Sequence, residues 1–350
     1  MNTVRLALIA IGLLAAAGPW PSEAASTAPG PANAKLVRFT FTEPRMGTQF
    51  KIVLYAPDEA TANNAARAAF KRIADLDLIM SDYRTTSELM QLCRQAGSEP
   101  VRVSQELFFV LSKAQNVSKL SDGAFDVTVG PVVKLWRRAR RAHELPDPEA
   151  LARARTLVGY QNIKLDEKAQ TVQLLKPGMQ LDLGGIAKGY AADEALAVLK
   201  KQSIRHALVA AGGDITVSDA PPDAKAWKIG IAPFEDPKRK PGRYLYLKNA
   251  AVSTSGDAEQ FIEINGKRYS HIVNPRTGIG LIGRQSVTVV ARQGIDSDSL
   301  TKVVCVLGPQ RGFKILDAIP DVASFAVFET EKGLQTFETE RFAKIPQSTE

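Results

Sequence analysis

The chain has 350 residues, 45 Lys and Arg against 37 Asp and Glu for a net charge of +8, 45% hydrophobic residues, and few Cys (2) or His (3). That length holds one large domain or two intimate ones, while so few Cys and His, without ligand spacing, argue against a zinc site, and Cys93 and Cys305 could pair in an oxidising compartment though nothing requires it. The basic balance suits an anionic ligand or partner, but no nucleic-acid-binding motif occurs, so nucleic acid is not expected.

Arg5, the apolar run over residues 6–18 and the small residues of Ser22-Glu23-Ala24 predict a secretory signal peptide over 1–24. The run is too short and too Ala-rich for a membrane span. No cysteine lies near the cut and no second arginine accompanies Arg5, which excludes a lipoprotein and a twin-arginine signal. Residues 25–35, small, Pro-rich and polar, predict a disordered leader, and the folded domain is expected over 36–345. Loss of Arg5 and Glu23 cancels, so the exported chain keeps its charge of +8.

Strands are predicted at 39–41 and 46–55, then a helix over 58–78 from Ala62, Ala65, Ala66, Ala69, Ile73 and Leu76 at helical spacing. Helices follow at 87–94, at 104–118 with Ser104 as N-cap, and at 150–158; residues 163–175 read as a hairpin turning at 166–169. Residues 181–190 join a strand to a long helix over 191–201. Strands are predicted at 206–210, 212–217, 227–231, 244–247 and 251–254. Residues 260–269 alternate around Asn265-Gly266, the signature of a two-residue hairpin turn. A strand at 286–290, a helix over 297–307 and strands at 321–330 and 333–338 complete the chain. Helices and hairpins mix without regular βαβ alternation, which gives an α+β fold with a largely antiparallel mixed sheet and packed helices.

Chemistry concentrates in a few turns. Leu183-Gly184-Gly185-Ile186-Ala187-Lys188-Gly189 is a Gly-rich entry to a helix, where N–H groups can meet an anion; it is neither a P-loop nor a dinucleotide fingerprint, and glycines chosen for packing alone fit it equally. Gly213-Asp214 and Thr254-Ser255-Gly256-Asp257 are two more such turns. His271 precedes the turn Asn274-Pro275-Arg276-Thr277-Gly278, placing an imidazole, a cation and a hydroxyl at a strand end. Asp296 to Lys302 sets acids at a helix start, either as N-caps or as oxygen ligands of Mg²⁺. Arg137-Arg138-Ala139-Arg140-Arg141 reads as a solvated basic face, and Cys305, within an apolar run, as a buried free thiol.

Taken in order, Met46-Gly47-Thr48, Ser87-Glu88-Leu89, Phe125 to Pro131, Asp182 to Tyr190, Gly212 to Ile215, Thr254 to Asp257 and His271 to Gly278 resemble the ApbE family of FAD:protein FMN transferases. The resemblance implies a periplasmic transferase that takes FAD with Mg²⁺ and moves FMN onto a Thr or Ser hydroxyl of a membrane redox complex, releasing AMP. It implies Ala187 and Asp298 as metal ligands, and His271 as the catalytic residue. It makes Gly184, Gly185, Lys188, Gly213, Asp214, Thr254, Ser255, Gly256 and Asp257 the flavin-nucleotide site. His271 would accept the hydroxyl proton or orient the acceptor; Arg276, with Thr277, would clamp a phosphate or merely cap the turn. An FAD hydrolase giving FMN and AMP, or a non-catalytic flavin-binding protein, fits the same residues. Two departures stand out. Asn274 replaces the family's Asp in the turn, and Lys302 stands where the family has Thr or Ser, four residues after Asp298. An ammonium cannot ligate Mg²⁺, so Thr301, one position early, is the candidate third ligand.

Overall fold

The structure, a computed structural model, describes residues 35–234, 240–257 and 261–349. The signal peptide expected at 1–24 and nearly all of the leader expected at 25–35 lie outside the described residues. The first hairpin, β1 (Val37–Arg45) and β2 (Thr48–Ala56), turns at Met46-Gly47, both at positive φ. Helix α1 (Glu59–Met80) starts on Asp58, whose side chain accepts from Thr61 N at 2.7 Å, and buries the apolar stripe that runs from Ala62 to Met80. There follow α2 (Glu88–Arg94), β3 (Val101–Arg102), α3 (Gln105–Leu120), α4 (Gly130–Ala142), α5 (Pro148–Arg155) and the hairpin β4 (Ile163–Asp166) and β5 (Thr171–Leu174). Next come α6 (Ala187–Lys201), β6 (Ala207–Ala211), β7 (Asp214–Val217), β8 (Trp227–Ile231), β9 (Arg243–Leu247) and β10 (Ala250–Gly256). The chain closes with β11 (Phe261–Ile264), β12 (Lys267–Val273), β13 (Gly280–Ile282), β14 (Gln285–Ala291), α7 (Gly294–Asp317), β15 (Ala323–Thr330), β16 (Gly333–Glu338), α8 (Glu340–Ala343) and β17 (Gln347–Thr349).

Eight strands make the main sheet, in the order β1-β2-β6-β7-β10-β14-β15-β16, and every neighbouring pair in it is antiparallel. Strand alternation sends Ile52 and Leu54 to the face covered by α1, α6 and α7, and Val53 to the other, which packs on β8 and β9. Both faces are therefore dry, and the α+β class with its antiparallel sheet holds. A third cluster joins Trp136 of α4 to Tyr269 and Val273 of β12, with Trp136 Nε1 donating to Gly278 O at 2.8 Å. Among the described residues no helix is long and apolar enough to cross a membrane.

Helices α6 and α7 touch backbone to backbone. A Cβ on Gly189 would lie 2.0 Å from Gly294 O, and one on Gly294 would lie 2.5 Å from Gly189 O. Asp193 of α6 caps α7, accepting from Gly294 N at 2.7 Å and Ile295 N at 3.0 Å. The polar stripe of α7 zips onto β10 through Ser253–Ser297 and Ser255–Thr301, each pair 2.8 Å apart.

Four sequence expectations are corrected. Residues 181–183 form no strand, and α6 begins at Ala187 rather than at 191. Helix α4 was not expected; Val132, Trp136 and Ala139 give it a narrow buried stripe. The helix expected over 297–307 starts earlier and continues past a break at Gly308 (φ 75°), after which Pro309 restarts the turn. The basic run is not wholly solvated, because Arg137 is held, half-buried, between the Asp82 and Asp182 carboxylates.

Candidate functional site

Three of the segments singled out in the sequence meet at the N-terminal end of α6. Lys188 Nζ lies 2.9 Å from Asp214 Oδ2 at the start of β7, 3.7 Å from Asp298 Oδ2 on α7, and donates to Gly184 O at 3.2 Å. Asp298 is fully buried and also accepts from Gly189 N at 3.1 Å. Lys302, one turn further along α7, donates to Asp298 O at 2.9 Å and is ion-paired to its Oδ1. The result is a buried chain of alternating charge, Asp214–Lys188–Asp298–Lys302. Burial pushes the Asp298 carboxyl up, but Lys188 and Lys302 outweigh burial and hold it below the usual carboxylate range. Burial likewise opposes the charge on Lys188, yet Asp214 and Asp298 raise it above an ordinary lysine.

The Gly-rich turn lies over this cluster. A Cβ on Gly185 would stand 3.4 Å from both Lys302 Cε and Phe125 Cε2, so the side chain of Lys302 packs directly under it. Several of the turn's N–H groups are engaged within the fold: Gly184 N donates to Asp182 Oδ1 at 2.8 Å, Ile186 N and Ala187 N to Leu183 O at 3.0 and 2.9 Å. Positive charge at this end of α6 is thus supplied chiefly by the two ammonium groups.

The other two turns are built for close backbone approach. A Cβ on Gly213 would lie 2.6 Å from Thr254 O, and Thr254 N donates to Gly213 O at 2.9 Å, so these turns are neighbours. Gly256 abuts Gln285 O, where a Cβ would be 2.3 Å away. Asp257 accepts from Gln285 N at 2.9 Å and pairs with Arg268 Nε at 2.5 Å, which locks the end of β10 to the hairpin that carries His271. His271 itself is half-buried on β12, a strand that also packs on α7.

Arg276 is engaged by the segment after α3. It pairs with the Asp122 carboxylate and donates to Asp122 O at 2.7 Å, while Asn274 Oδ1 accepts from Arg276 N at 2.9 Å and Thr277 Oγ1 from Ile279 N at 3.2 Å. Arg276 and Thr277 therefore brace the turn, and Asn274 makes the turn hydrogen bond without needing a charge.

Sequence reasoning missed Asp82 and the role of Arg137. Arg137 is ion-paired to Asp82, donates to Asp182 Oδ2 at 2.7 Å, and stacks its guanidinium 4.3 Å over the Tyr83 ring. Asp182 passes this constraint to Gly184 N. The sequence signal lay in the buried stripe of α4, which places Arg137 beside Trp136 at its inner edge.

The donor set does not fit a divalent metal ion. Mg²⁺ takes oxygen ligands, commonly one or two carboxylates with substrate phosphates. Here two buried carboxylates, Asp214 and Asp298, are each already paired with an ammonium group, and Asp298 with both Lys188 and Lys302; at 4 Å and an effective dielectric of 20, each ammonium repels a divalent ion by roughly 8 kcal/mol. Among the described residues no group of three or more His, Cys, Asp and Glu converges. Nor does Thr301 rescue the site: its hydroxyl donates to Asp298 O at 2.7 Å and faces Ser255, the usual back-bond of a helical threonine. The Ala187 carbonyl belongs to the first turn of α6, and alone it offers no negative charge.

An α+β scaffold whose Gly-rich turns gather two ammonium groups, paired with two carboxylates, and that also carries an imidazole on β12, has the chemistry to take a phosphate-bearing ligand. The profile of the ApbE family matches residues 46–326. The chain is 35% identical over 296 residues to an FAD:protein FMN transferase of Klebsiella pneumoniae, covering 84% of this chain and 89% of the relative. It is 32% identical over 315 residues to one of Treponema pallidum, covering 86% and 87%. Among solved structures, the flavin transferase ApbE of Vibrio cholerae superposes with a TM-score of 0.79 at 28% identity, covering 89% of this chain and 100% of that one. The Thermotoga maritima ApbE protein gives 0.76 at 29% identity, covering 88% and 98%. The chain belongs to the ApbE family.

Proposed function

We propose that this protein is an FAD:protein FMN transferase. A Ser or Thr hydroxyl of an acceptor protein attacks the phosphorus on the flavin side of the FAD diphosphate. The P–O bond to the adenylate side breaks, AMP leaves, and FMN remains on the acceptor as a phosphodiester. The observation that carries this reading is the Asp214–Lys188–Asp298–Lys302 cluster under Gly184 and Gly185, where fixed ammonium groups stand ready for a diphosphate. Preset charge of this kind stabilises phosphoryl transfer without reorganising at the moment of reaction. His271 takes the hydroxyl proton as the new P–O bond forms. The Gly213-Asp214 and Thr254 to Asp257 turns hold the nucleotide. The Mg²⁺ that the resemblance implies finds no fitting ligand set here, and the chemistry is assigned to the chain's own residues.

The signal-like start supports export, so the reading places the folded domain, residues 36–345, in the periplasm, with an acceptor in a membrane redox complex. Co-expression with such an acceptor, followed by mass measurement, should give an adduct one FMN heavier, absent with His271→Ala although that variant still binds FAD. FMN and AMP released with no adduct would make the protein a hydrolase, and intact FAD after prolonged incubation would make it a flavin-binding protein.

A further inference from the structure

We propose that the Lys302 ammonium stands in for a metal ion, so that this protein binds its dinucleotide diphosphate without a divalent cation. The inference rests on the transferase reading of the same site and adds to it the identity of the cation. Three observations carry it.

First, Lys302 points from α7 against the Gly-rich turn rather than into solvent. Its side chain is only 15% exposed, and its Cε lies in contact range, 3.4 Å, of where a Cβ on Gly185 would stand. Second, its hydrogen-bonding capacity is only partly used. An ammonium has three donors; among the described residues two go to Asp298, one to the carbonyl and one to the carboxylate. The third is available for a phosphate oxygen at the turn. Third, neutralising Asp298 does not by itself call for this residue, since Lys188 already stands 3.7 Å from Oδ2 and Gly189 N donates to it. With Lys302 added, the buried Asp298 carboxylate faces two cations, which repel a divalent ion, and since Asp214 also pairs Lys188, the ammonium left to face the turn is that of Lys302. Lys188 is held by Gly184 O and Asp214 as well, so Lys302 is the cation with the most capacity left for ligand.

The closing experiment uses the full chain and measures FAD binding by quenching of flavin fluorescence, in EDTA and then in excess Mg²⁺, with calorimetric titration of Mg²⁺ alone alongside. The native protein should bind FAD equally in both buffers and take up no Mg²⁺. Lys302→Met, which keeps the length and loses the charge, should weaken FAD binding by about tenfold or more, as expected on losing one charge-assisted hydrogen bond, and Mg²⁺ should not restore it. Lys302→Thr should weaken it similarly in EDTA and recover when Mg²⁺ is added. Thermal melting of each variant checks that it is folded; if neither variant folds, the native protein's behaviour in EDTA decides alone. Loss of FAD by the native protein in EDTA, or uptake of Mg²⁺ without ligand, would overturn the inference and leave the transferase reading standing. Failure of the native protein to bind FAD in either buffer would sink both.

Discussion

The contact between Gly189 and Gly294 fixes where Asp298 and Lys302 stand relative to the Gly-rich turn, so Gly189→Ala tests the geometry of the whole site. The added methyl would lie 2.0 Å from Gly294 O and 2.8 Å from Asp298 Cβ. A carbon and a carbonyl oxygen approach to about 3.3 Å at closest in ordinary packing, so α7 must withdraw from α6 by more than an ångström. Neither obstacle is the flexible end of a side chain, and a packed interior transmits such a shift rather than absorbing it. The withdrawal stretches the 3.1 Å bond from Gly189 N to Asp298 and the capping bonds from Gly294 N and Ile295 N to Asp193. Overpacking costs about 1–3 kcal/mol, and weakening three hydrogen bonds to carboxylates adds to it, so the expected loss is about 3 kcal/mol or more. Urea denaturation monitored by circular dichroism measures it, and flavin fluorescence should show weaker FAD binding under conditions where the variant is still folded. A variant as stable as the native protein, with unchanged FAD affinity, would refute the claim that the helix crossing sets the site.

Three further outcomes follow from groups around the site. Burial raises the Asp193 carboxyl from 3.8 to about 6, against the pull of the Gly294 and Ile295 N–H groups. A folded-state value above the unfolded one gives stability that is complete below about 3.8 and lost as pH rises through 6, so acidification from about pH 7 to 4 should favour the native protein over Asp193→Asn by on the order of 3 kcal/mol in denaturation midpoints. Arg137→Met should cost about 2 kcal/mol at neutral pH by leaving the half-buried Asp82 and Asp182 carboxylates without their cation. Burial and then the Asp182 charge already raise Asp82, so this variant should regain stability towards acid, as that carboxyl takes up a proton; a flat pH profile would contradict it. Cys93 and Cys305 are free and buried, and burial pushes the Cys305 thiol up to about 12, so neither should react with a maleimide at about pH 8 until the protein is unfolded.

What could be read in the sequence was whatever depends on near neighbours. Helix α1 was legible because Ala62, Ala65, Ala66, Ala69, Ile73 and Leu76 repeat at helical period, and all are buried on one face. The β11–β12 hairpin was legible because Asn265 and Gly266 tolerate the positive φ, 51° and 71°, that a two-residue turn demands. Helix α4 was hidden by its composition: only Val132, Trp136 and Ala139 mark its inner face, and the arginines between them read as solvated. The second half of α7 was hidden by Gly308-Pro309, a pair that ordinarily ends a helix but here also starts one.

The site divides along the same line. The i, i+4 spacing of Asp298 and Lys302 showed in the sequence that an ammonium stands where a ligand hydroxyl was expected. Its consequence depends on facts that no local pattern carries. Asp298 is bonded to a backbone 109 positions away, and Arg137 to carboxylates 55 and 45 positions away. Whether a lysine beside an aspartate is a surface pair of small effect or a fixed cation in a binding site depends on the burial of the carboxylate. That burial is created where Gly189 meets Gly294, a contact that no local pattern in the sequence shows. The departure from the family pattern at position 302 therefore acts through the helix crossing: only where α6 and α7 meet without side chains between them does Lys302 reach the turn that Gly185 leaves open.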